Sequence, residues 1–419
     1  MKADVQQVIA KAYKSPFGSM NEMYNLTEDK MDYKLNRAWV EIDLDAIAHN
    51  VREIRKFVGK RVEVMGVVKA DAYGHGVLEV VRTLLDNGVT QLAVSMLDEA
   101  IQIRHMGIDV PILILSYTDP ARAEEIIENE LTQTVFSLDL PQALSVASLK
   151  LGKSVKVHVK VDTGMTRVGF MPGYSAVKNI MEIGKLPGLI IEGLFTHFAS
   201  ADEHDRDYTM MQFERFTSLC TELGRVGIHI PVKHVCNSAG IIQYPDMHLD
   251  MVRPGIILYG LYPSEQVDKE IISLKPAMTF KSNVIQVRDV EPNTCISYGR
   301  TFRTSGYSKI ATLPIGYADG YTRRLSNKGQ VLINGEAAPI VGRICMDQCM
   351  VDVTNLSKDV NVGDEAVIFG RQNGSCISVE EVAAEVDTVN YELVCIIGKR
   401  IPRVYLKDGE ICSVLNYLI

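Results

Sequence analysis

Between residues 37 and 274 the chain alternates short apolar runs with longer amphipathic stretches. Apolar runs bounded by turn residues predict buried strands, and apolar positions three and four residues apart predict helices. Eight strands are predicted, at residues 62–69, 89–95, 111–116, 132–136, 155–162, 189–197, 232–237 and 249–258. The helices predicted between them include 76–87, 98–105, 121–129 and 212–224. This alternation predicts an α/β fold, a (β/α)8 TIM-type barrel. No GxGxxG turn follows the first strand, which disfavours a dinucleotide-binding sheet.

After residue 274 the period falls to two residues, which is typical of β structure. Asn334-Gly335 and Asn373-Gly374 are hairpin turn signals. Strands are predicted at 309–314, 330–333, 338–341 and 365–369, and one helix at 378–385. We therefore predict three parts: an N-terminal extension of unknown role at 1–36, a barrel at 37–274, and a smaller, mostly β domain at 275–419 that completes the active site. Residues 37–45 are candidates for pairing with this second domain.

Charge and composition exclude several classes of function. The net charge of the 419-residue chain is −8, and acidic and basic residues are interspersed, which argues against nucleic acid and anionic membranes as partners. No apolar run reaches the roughly 18 residues of a membrane span. The N-terminus carries early charges, such as Lys2 and Asp4, and lacks the apolar core of a secretory signal. We expect a cytoplasmic protein.

The eight cysteines all lie in the second half of the chain, and none forms a CxxC pair. This spacing favours separate structural thiols in a reducing compartment over a disulfide framework or a zinc site. We expect no metal.

Polar residues lie where the predicted strands end. Catalytic groups of such barrels gather at the C-terminal ends of the strands. Reading each strand to its end gives a lysine, a carboxylate, a histidine, an amide followed by a serine, and an arginine: Lys69, Asp162, His197, Asn237-Ser238 and Arg253. The sequence therefore predicts an active site at one mouth of the barrel.

Lys69 ends an apolar run and precedes a glycine-flanked aromatic loop at 70–76. Burying a lysine is costly unless its pKa falls or it forms a covalent adduct. A desolvated lysine at a barrel mouth forms Schiff bases with carbonyl cofactors. The alternative is a strand-end lysine that reaches solvent.

The other strand-end residues leave alternatives open. Ser238 and Gly255 lie in the quarter of the barrel that usually binds phosphate, although serine and glycine are also common in structural turns. Arg253 either has a structural partner or points at a ligand. Arg167 either forms a salt bridge with Asp162 or binds a substrate carboxylate. His197 is equally compatible with a satisfied core histidine.

Five segments together resemble motifs of the alanine racemase family, which are fold-type III pyridoxal-phosphate enzymes. These segments are 67–76, 160–167, 253–256, 297–299 and 344–348, in the order expected for the family. The resemblance extends from about residue 37 to residue 405 and leaves the first 36 residues uncovered.

The resemblance implies a role for each matching residue. Lys69 would hold pyridoxal 5'-phosphate and handle the proton of D-alanine. Tyr298, reaching the site from the other subunit, would take the proton of L-alanine, so a homodimer with shared sites is implied. Arg253 would face the pyridine nitrogen, and His197 would brace the ring and Arg253. The phosphate would be held by Tyr73, Ser238, Gly255, Ile256 and Tyr391. The substrate carboxylate would be bound by Arg167 and the N–H of Met346, and Lys160 is often carbamylated in this family.

The implied function is the interconversion of L-alanine and D-alanine, which supplies D-alanine for the cell wall. The first alternative is a serine or broad-specificity racemase. Serine racemases of this family are expected to carry asparagine where this chain has Tyr391, whose bulk would crowd a hydroxymethyl group. Two further alternatives are a basic amino-acid decarboxylase, which is expected to place an acidic residue at the ring nitrogen, and a cofactor carrier, which would lack the second domain.

Overall fold

The computed structural model describes residues 37–418. The predicted N-terminal extension at 1–36 therefore lies outside the described residues. In the described part, a barrel is followed by a mostly β C-terminal domain, which confirms the predicted fold class.

Eight parallel strands form the barrel, in the order β8-β7-β6-β5-β4-β3-β2-β9. The N–H groups of Asp250 and Arg253 donate to the carbonyls of Lys233 and Cys236 and so join the two ends of this order. The strands are β2 (Glu63–Val67), β3 (Gln91–Val94), β4 (Ile112–Ile114), β5 (Thr132–Val135), β6 (Val155–Lys160), β7 (Leu189–Phe195), β8 (Val232–His234) and β9 (Met251–Val252). The helices are α1 (Leu44–Val58), α2 (Lys69–Tyr73), α3 (Val77–Asp86), α4 (Leu97–His105), α5 (Ala123–Glu128), α6 (Asp139–Leu151), α7 (Tyr174–Lys185), α8 (Asp207–Arg225) and α9 (Ser238–Gln243).

Helix α1 shows how the local sequence builds the outer layer. The Asp43 carboxylate accepts the N–H of Ala46 and caps the helix. The buried side chains recur at three- and four-residue spacing on one face of the helix: Leu44, Ile47, Val51, Ile54 and Val58. The apolar face of α1 is therefore fixed by its sequence pattern.

Each of the eight predicted strand segments contains an observed barrel strand. The predicted length of the last segment, 249–258, was wrong, because β9 covers only Met251–Val252 and Ile256–Tyr259 form a 3-10 turn. Pro254 has no N–H to donate to a ladder, so regular strand pairing does not continue through it.

The C-terminal domain contains a large sheet in the order β16-β15-β18-β10-β1-β20-β21, with β19 paired to β18. Strand β1 (Ala38–Asp43) pairs antiparallel with β10 and parallel with β20, so the first described strand belongs to this sheet. The other strands are β10 (Met278–Asn283), β11 (Gln286–Val290), β12 (Cys295–Ile296), β13 (Phe302–Arg303), β14 (Ser308–Leu313), β15 (Gln330–Ile333), β16 (Glu336–Pro339), β17 (Cys349–Asp352), β18 (Glu365–Gln372), β19 (Ser375–Ile377), β20 (Arg403–Lys407) and β21 (Glu410–Leu415). Two helices, α10 (Val379–Glu385) and α11 (Asn390–Cys395), lie between β19 and β20 in the chain.

Both predicted hairpin turns are confirmed. Asn334 and Gly335 have φ of 58° and 86° between β15 and β16, and Asn373 and Gly374 have φ of 50° and 90° between β18 and β19. Two consecutive positive φ angles are those of a type I′ turn, which suits the twist of a hairpin. The strand predicted at 338–341 is observed as β16, which covers Glu336–Pro339 and so begins two residues earlier.

The eight cysteines are all free thiols. No helix among residues 37–418 is both long enough and apolar enough to cross a membrane.

Candidate active site

A cavity of about 780 Å³ opens at the C-terminal ends of the barrel strands. This volume suits a ligand of cofactor size, since ligand pockets commonly span roughly 300–1,000 Å³. Eleven residues expected at the site from the sequence line this cavity: Lys69, Tyr73, Lys160, Arg167, His197, Asn237, Ser238, Arg253, Gly255, Ile256 and Tyr391. Three others, Asp162, Tyr298 and Met346, do not.

The short element α2, which begins at Lys69, is not a regular right-handed helix but a left-handed turn. Residues 70–73 have φ between 52° and 54°, a conformation that costs roughly 1–2 kcal/mol per residue without glycine. The Glu99 carboxylate accepts the N–H of Ala70 at 2.6 Å. From the C-terminal domain, Arg403 and Tyr405 donate to the carbonyls of the two residues that follow the turn, at 3.0 and 3.1 Å. The second domain therefore stabilises the backbone geometry that follows Lys69.

The amine of Lys69 is half-buried at the cavity wall. Burial, and then the nearby Arg167 guanidinium, lower the pKa of Lys69 below its usual value. A lowered pKa increases the fraction of neutral amine, which is the form that attacks a carbonyl.

Arg253 is buried beneath the cavity. It donates from Nη1 to Nδ1 of His234 at 2.7 Å, and from Nη2 to the carbonyls of Thr196 and Val235 at 2.8 and 2.9 Å. Burial lowers the pKa of Arg253 to about 10, so it stays charged at neutral pH. A guanidinium has five N–H groups, and the two left on Nε and Nη1 have no partner among residues 37–418. They are free to donate to a ligand.

Arg167 does not form the salt bridge considered as its structural alternative. The Asp162 carboxylate instead accepts the backbone N–H groups of Gly164, Thr166 and Arg167, each at 3.0 Å. Although burial raises the pKa of Asp162, these N–H groups outweigh it and lower the pKa. Asp162 thus shapes the loop, and the exposed guanidinium of Arg167 faces the cavity with no carboxylate partner in the described part of the chain.

Lys160 is 3% exposed, and its Nζ donates to the Val161 carbonyl at 2.7 Å. Burial, and then the charge of Arg253, lower the pKa of Lys160 to about 7. At mildly alkaline pH this amine is therefore largely neutral.

Several hydrogen-bond donors lie together in one corner of the cavity. The N–H of Gly255 donates to Ser238 Oγ at 2.9 Å, and the N–H of Ile256 has no acceptor among residues 37–418. The hydroxyls of Tyr73 and Tyr391 likewise have no hydrogen-bond partner in the described structure, and their rings lie 6.2 Å apart. Neutral donors of this kind, converging on one place, suit a phosphate group.

We expect Gly255→Ala to weaken, about tenfold or more, the binding of the pyridoxal phosphate that the sequence resemblance implies, because the added Cβ would lie 2.7 Å from the Tyr73 hydroxyl. The measurement is the dissociation constant of pyridoxal phosphate. Gly224→Ala is the matched control, since its Cβ would meet nothing within 4 Å. Equal affinities for the two variants would show that the close approach of Tyr73 has no role.

Tyr298 and Met346 lie on the outside of the C-terminal domain and are 70% and 53% exposed. Their loops are neighbours, because Ser297 Oγ donates to the carbonyl of Arg343 at 2.5 Å. The N–H of Met346 has no acceptor among residues 37–418. In the single chain, both residues are therefore exposed to solvent and lie outside the cavity.

Comparison with known proteins decides the family. The family models for the alanine racemase N-terminal domain and C-terminal domain match residues 42–263 and 277–405. The chain belongs to the alanine racemase family. The alanine racemase of Clostridium perfringens is 50% identical over 93% of this chain and its own full length. That of Methanococcus maripaludis is 53% identical over 88% of this chain and 98% of its own.

Solved alanine racemases share the fold. The Clostridium difficile 630 structure is 44% identical, with a TM-score of 0.88 over 92% of this chain and 99% of its own. The Bacillus anthracis structure with bound L-Ala-P is 37% identical, with a TM-score of 0.87 over 91% of this chain and 98% of its own.

In this member of the alanine racemase family, the sequence motifs did not indicate the partners of Arg253. His197 lines the cavity, but the histidine that accepts a hydrogen bond from Arg253 is His234. Burial, and then Arg253, hold the pKa of His197 well below its usual value. A histidine within an apolar strand was the signal that could have indicated it, as at His234 before Val235 and at His158 between Val157 and Val159.

Proposed function

We propose that this chain interconverts L-alanine and D-alanine with pyridoxal 5'-phosphate bound at the barrel mouth. One observation carries the proposal: a single cavity contains a desolvated lysine, a buried arginine with two unpartnered N–H groups, and a group of hydrogen-bond donors suited to a phosphate. The family, and relatives that are named alanine racemase at about 50% identity, support the same reaction.

The residues present fit this cofactor. The donor corner would hold its phosphate, the amine of Lys69 would attach it covalently, and the free N–H groups of Arg253 would face its ring nitrogen. When bound, the cofactor withdraws electrons from the substrate and so acidifies the proton on its α-carbon. Because Arg253 stays protonated, it would not transfer its proton to the ring nitrogen, and this would limit the electron withdrawal.

Racemisation needs a proton removed from one face of the α-carbon and a proton returned to the other. Lys69 would handle the proton of D-alanine. Tyr298 does not line the cavity of its own chain and is exposed, which supports its acting from the partner subunit on the proton of L-alanine. We therefore propose a homodimer with two shared active sites.

The substrate carboxylate would be bound by Arg167 and by the N–H of Met346 from the partner subunit. The lowered pKa of Lys160 supports its carbamylation, because CO₂ reacts with the neutral amine. A carbamate there would be an anion able to orient Arg167.

We expect Arg253→Glu to raise transamination relative to racemisation, because a carboxyl group at the ring nitrogen would favour the protonated ring and so a stronger electron withdrawal. The measurement is the ratio of pyruvate to D-alanine formed from L-alanine. An unchanged ratio in a variant that still binds the cofactor would contradict the role of Arg253.

The first test of the proposed function is chiral analysis of product after separate incubations with L-alanine and L-serine. D-alanine forming much faster than D-serine is the expected result. Dominant D-serine would leave the fold and the mechanism but overturn the substrate. Neither product, from protein with the cofactor attached at Lys69, would favour the decarboxylase or carrier alternatives. Structures of relatives with cycloserine and with L-Ala-P agree with a small amino-acid substrate.

We expect Tyr391→Asn to raise the serine-to-alanine ratio of kcat/KM roughly tenfold, because the smaller side chain leaves room for a hydroxymethyl group. Tyr391→Phe, which keeps the bulk, is the control for the ratio. If both variants change the ratio equally, bulk at this position does not set the specificity.

In the cell, we propose that the reaction supplies D-alanine for the cell wall. The eight free thiols support a reducing, cytoplasmic compartment.

A further inference from the structure

A line of hydrogen bonds runs from Arg253 through the barrel interior. From Arg253, it passes through His234 to His158, whose Nδ1 lies 2.8 Å from Nε2 of His234. Nε2 of His158 lies 3.3 Å from a carboxylate oxygen of Glu192, and the other oxygen of Glu192 lies 2.6 Å from Nζ of Lys156. Four barrel strands, β6 to β9 with the residue after β9, contribute to this line.

The barrel core is shaped around the two imidazoles. His158 and His234 are 1% and 0% exposed. The Phe195 ring stacks on His234 with centroids 4.7 Å apart and planes 5° apart. A Cβ at Gly193 would lie 2.5 Å from Nδ1 of His158, so only glycine leaves room for the ring. The two rings therefore have little freedom to turn.

The position of each proton in the line follows from which groups can donate a hydrogen bond and which can accept one. A guanidinium has no acceptor, so Nδ1 of His234 must be unprotonated to receive the Arg253 N–H. Burial, and then Arg253, hold the pKa of His234 well below its usual value, and burial also lowers the pKa of His158. Both rings are therefore neutral, with one N–H each. His234 then donates from Nε2 to His158, and His158 donates from Nε2 to Glu192.

The hydrogen bond from His158 lowers the pKa of Glu192 to about 2, so this end of the line is an anion. Glu192 provides the only acceptor in this line that cannot also donate. Reversing the line would place an N–H of His234 against an N–H of Arg253, and both would lose their partner.

We propose that Glu192 is a positioning residue that, through two neutral imidazoles, orients the Arg253 guanidinium toward the cavity. The proposal rests on the proposed function for its kinetic consequence, but the proton positions in the line do not depend on catalysis. Glu192 itself does not line the cavity.

The direct test is ¹⁵N NMR of the histidine-labelled holoenzyme, with the signals of His158 and His234 assigned by single His→Gln variants. Wild type is expected to show both rings neutral and protonated at Nε2. Glu192→Leu, which removes the acceptor, is expected to lose this preference at His158. Glu192→Gln, which keeps an oxygen acceptor, should retain it. Lys156→Ala, which removes only the outer ion pair, should change neither ring.

The kinetic readout separates positioning from general stability. We expect Glu192→Leu to lower kcat about tenfold with the KM for alanine changed less than about twofold, because Arg253 faces the cofactor ring rather than the substrate carboxylate. The kcat of Glu192→Gln should lie close to that of the wild type and well above that of Glu192→Leu. If Glu192→Leu does not fold, Glu192→Asp carries the test with an intermediate effect.

The proposal is overturned if wild-type His234 is protonated at Nδ1, or if the tautomers are unchanged in Glu192→Leu. It is also overturned if Glu192→Gln loses as much activity as Glu192→Leu. Since the NMR result does not require alanine racemisation, a failure of the proposed function would be recognised separately by the absence of D-alanine from wild type.

Discussion

Replacing Lys69 by alanine is expected to abolish covalent attachment of pyridoxal phosphate and to lower racemisation of alanine roughly 10³-fold or more in both directions. Lys69 lies at the cavity wall with its pKa lowered by burial and by Arg167, so it has both the position and the reactivity for this attachment. Among residues 37–418, the one other lysine that lines the cavity is Lys160, whose Nζ donates to a backbone carbonyl.

The attachment is measured by borohydride reduction followed by peptide mass spectrometry, which should place the cofactor on Lys69 in the wild type. Lys269→Ala, at a surface lysine paired with Glu265, is the control and should keep both attachment and activity. Cofactor found on Lys160 in the wild type would contradict the assignment of Lys69.

The second large effect is expected at Tyr298. Tyr298→Phe should lower conversion of L-alanine to D-alanine roughly 10²–10⁴-fold, the usual range for removing a general acid–base group. The side chain is 70% exposed in the single chain, so loss of its hydroxyl should not disturb the fold or the bound cofactor. Tyr307→Phe, at a tyrosine that is 75% exposed in the same domain, is the matched control.

Proton exchange gives a sharper result than turnover. In D₂O, the Tyr298→Phe variant should still exchange the α-proton of D-alanine through Lys69, while exchange from L-alanine should fall with racemisation. Loss of both exchanges together with loss of cofactor would make Tyr298 a structural residue instead.

Mixing two inactive variants tests whether the site is shared. Lys69→Ala and Tyr298→Phe subunits, unfolded and refolded together, should recover up to about a quarter of wild-type activity if each site takes Tyr298 from the partner subunit. Half of the dimers would then be mixed, and each of these would hold one intact site. If both residues of a site came from one chain, no mixture would recover activity.

Much of this protein follows from its sequence alone. Residues 330–333 and the turn Asn334-Gly335 specify a hairpin through local alternation and backbone preference, and the structure has that hairpin. The eight barrel strands follow from the apolar runs. Lys69, Arg253 and His197 lie at or near the ends of these runs, and all three line the cavity. These features are encoded locally or by a rule of the fold, so no knowledge of distant contacts was needed.

The tertiary structure decided the rest. Nothing in Ala70-Asp71-Ala72-Tyr73 predicts a left-handed turn, since it contains no glycine; contacts from Glu99, Arg403 and Tyr405 stabilise it. His234 rather than His197 accepts the hydrogen bond of Arg253, and Asp162 binds backbone rather than the Arg167 guanidinium. Each of these depends on groups far apart in sequence that packing brings within hydrogen-bond distance. Local periodicity reports which face of an element is buried, but it does not report which buried polar groups meet.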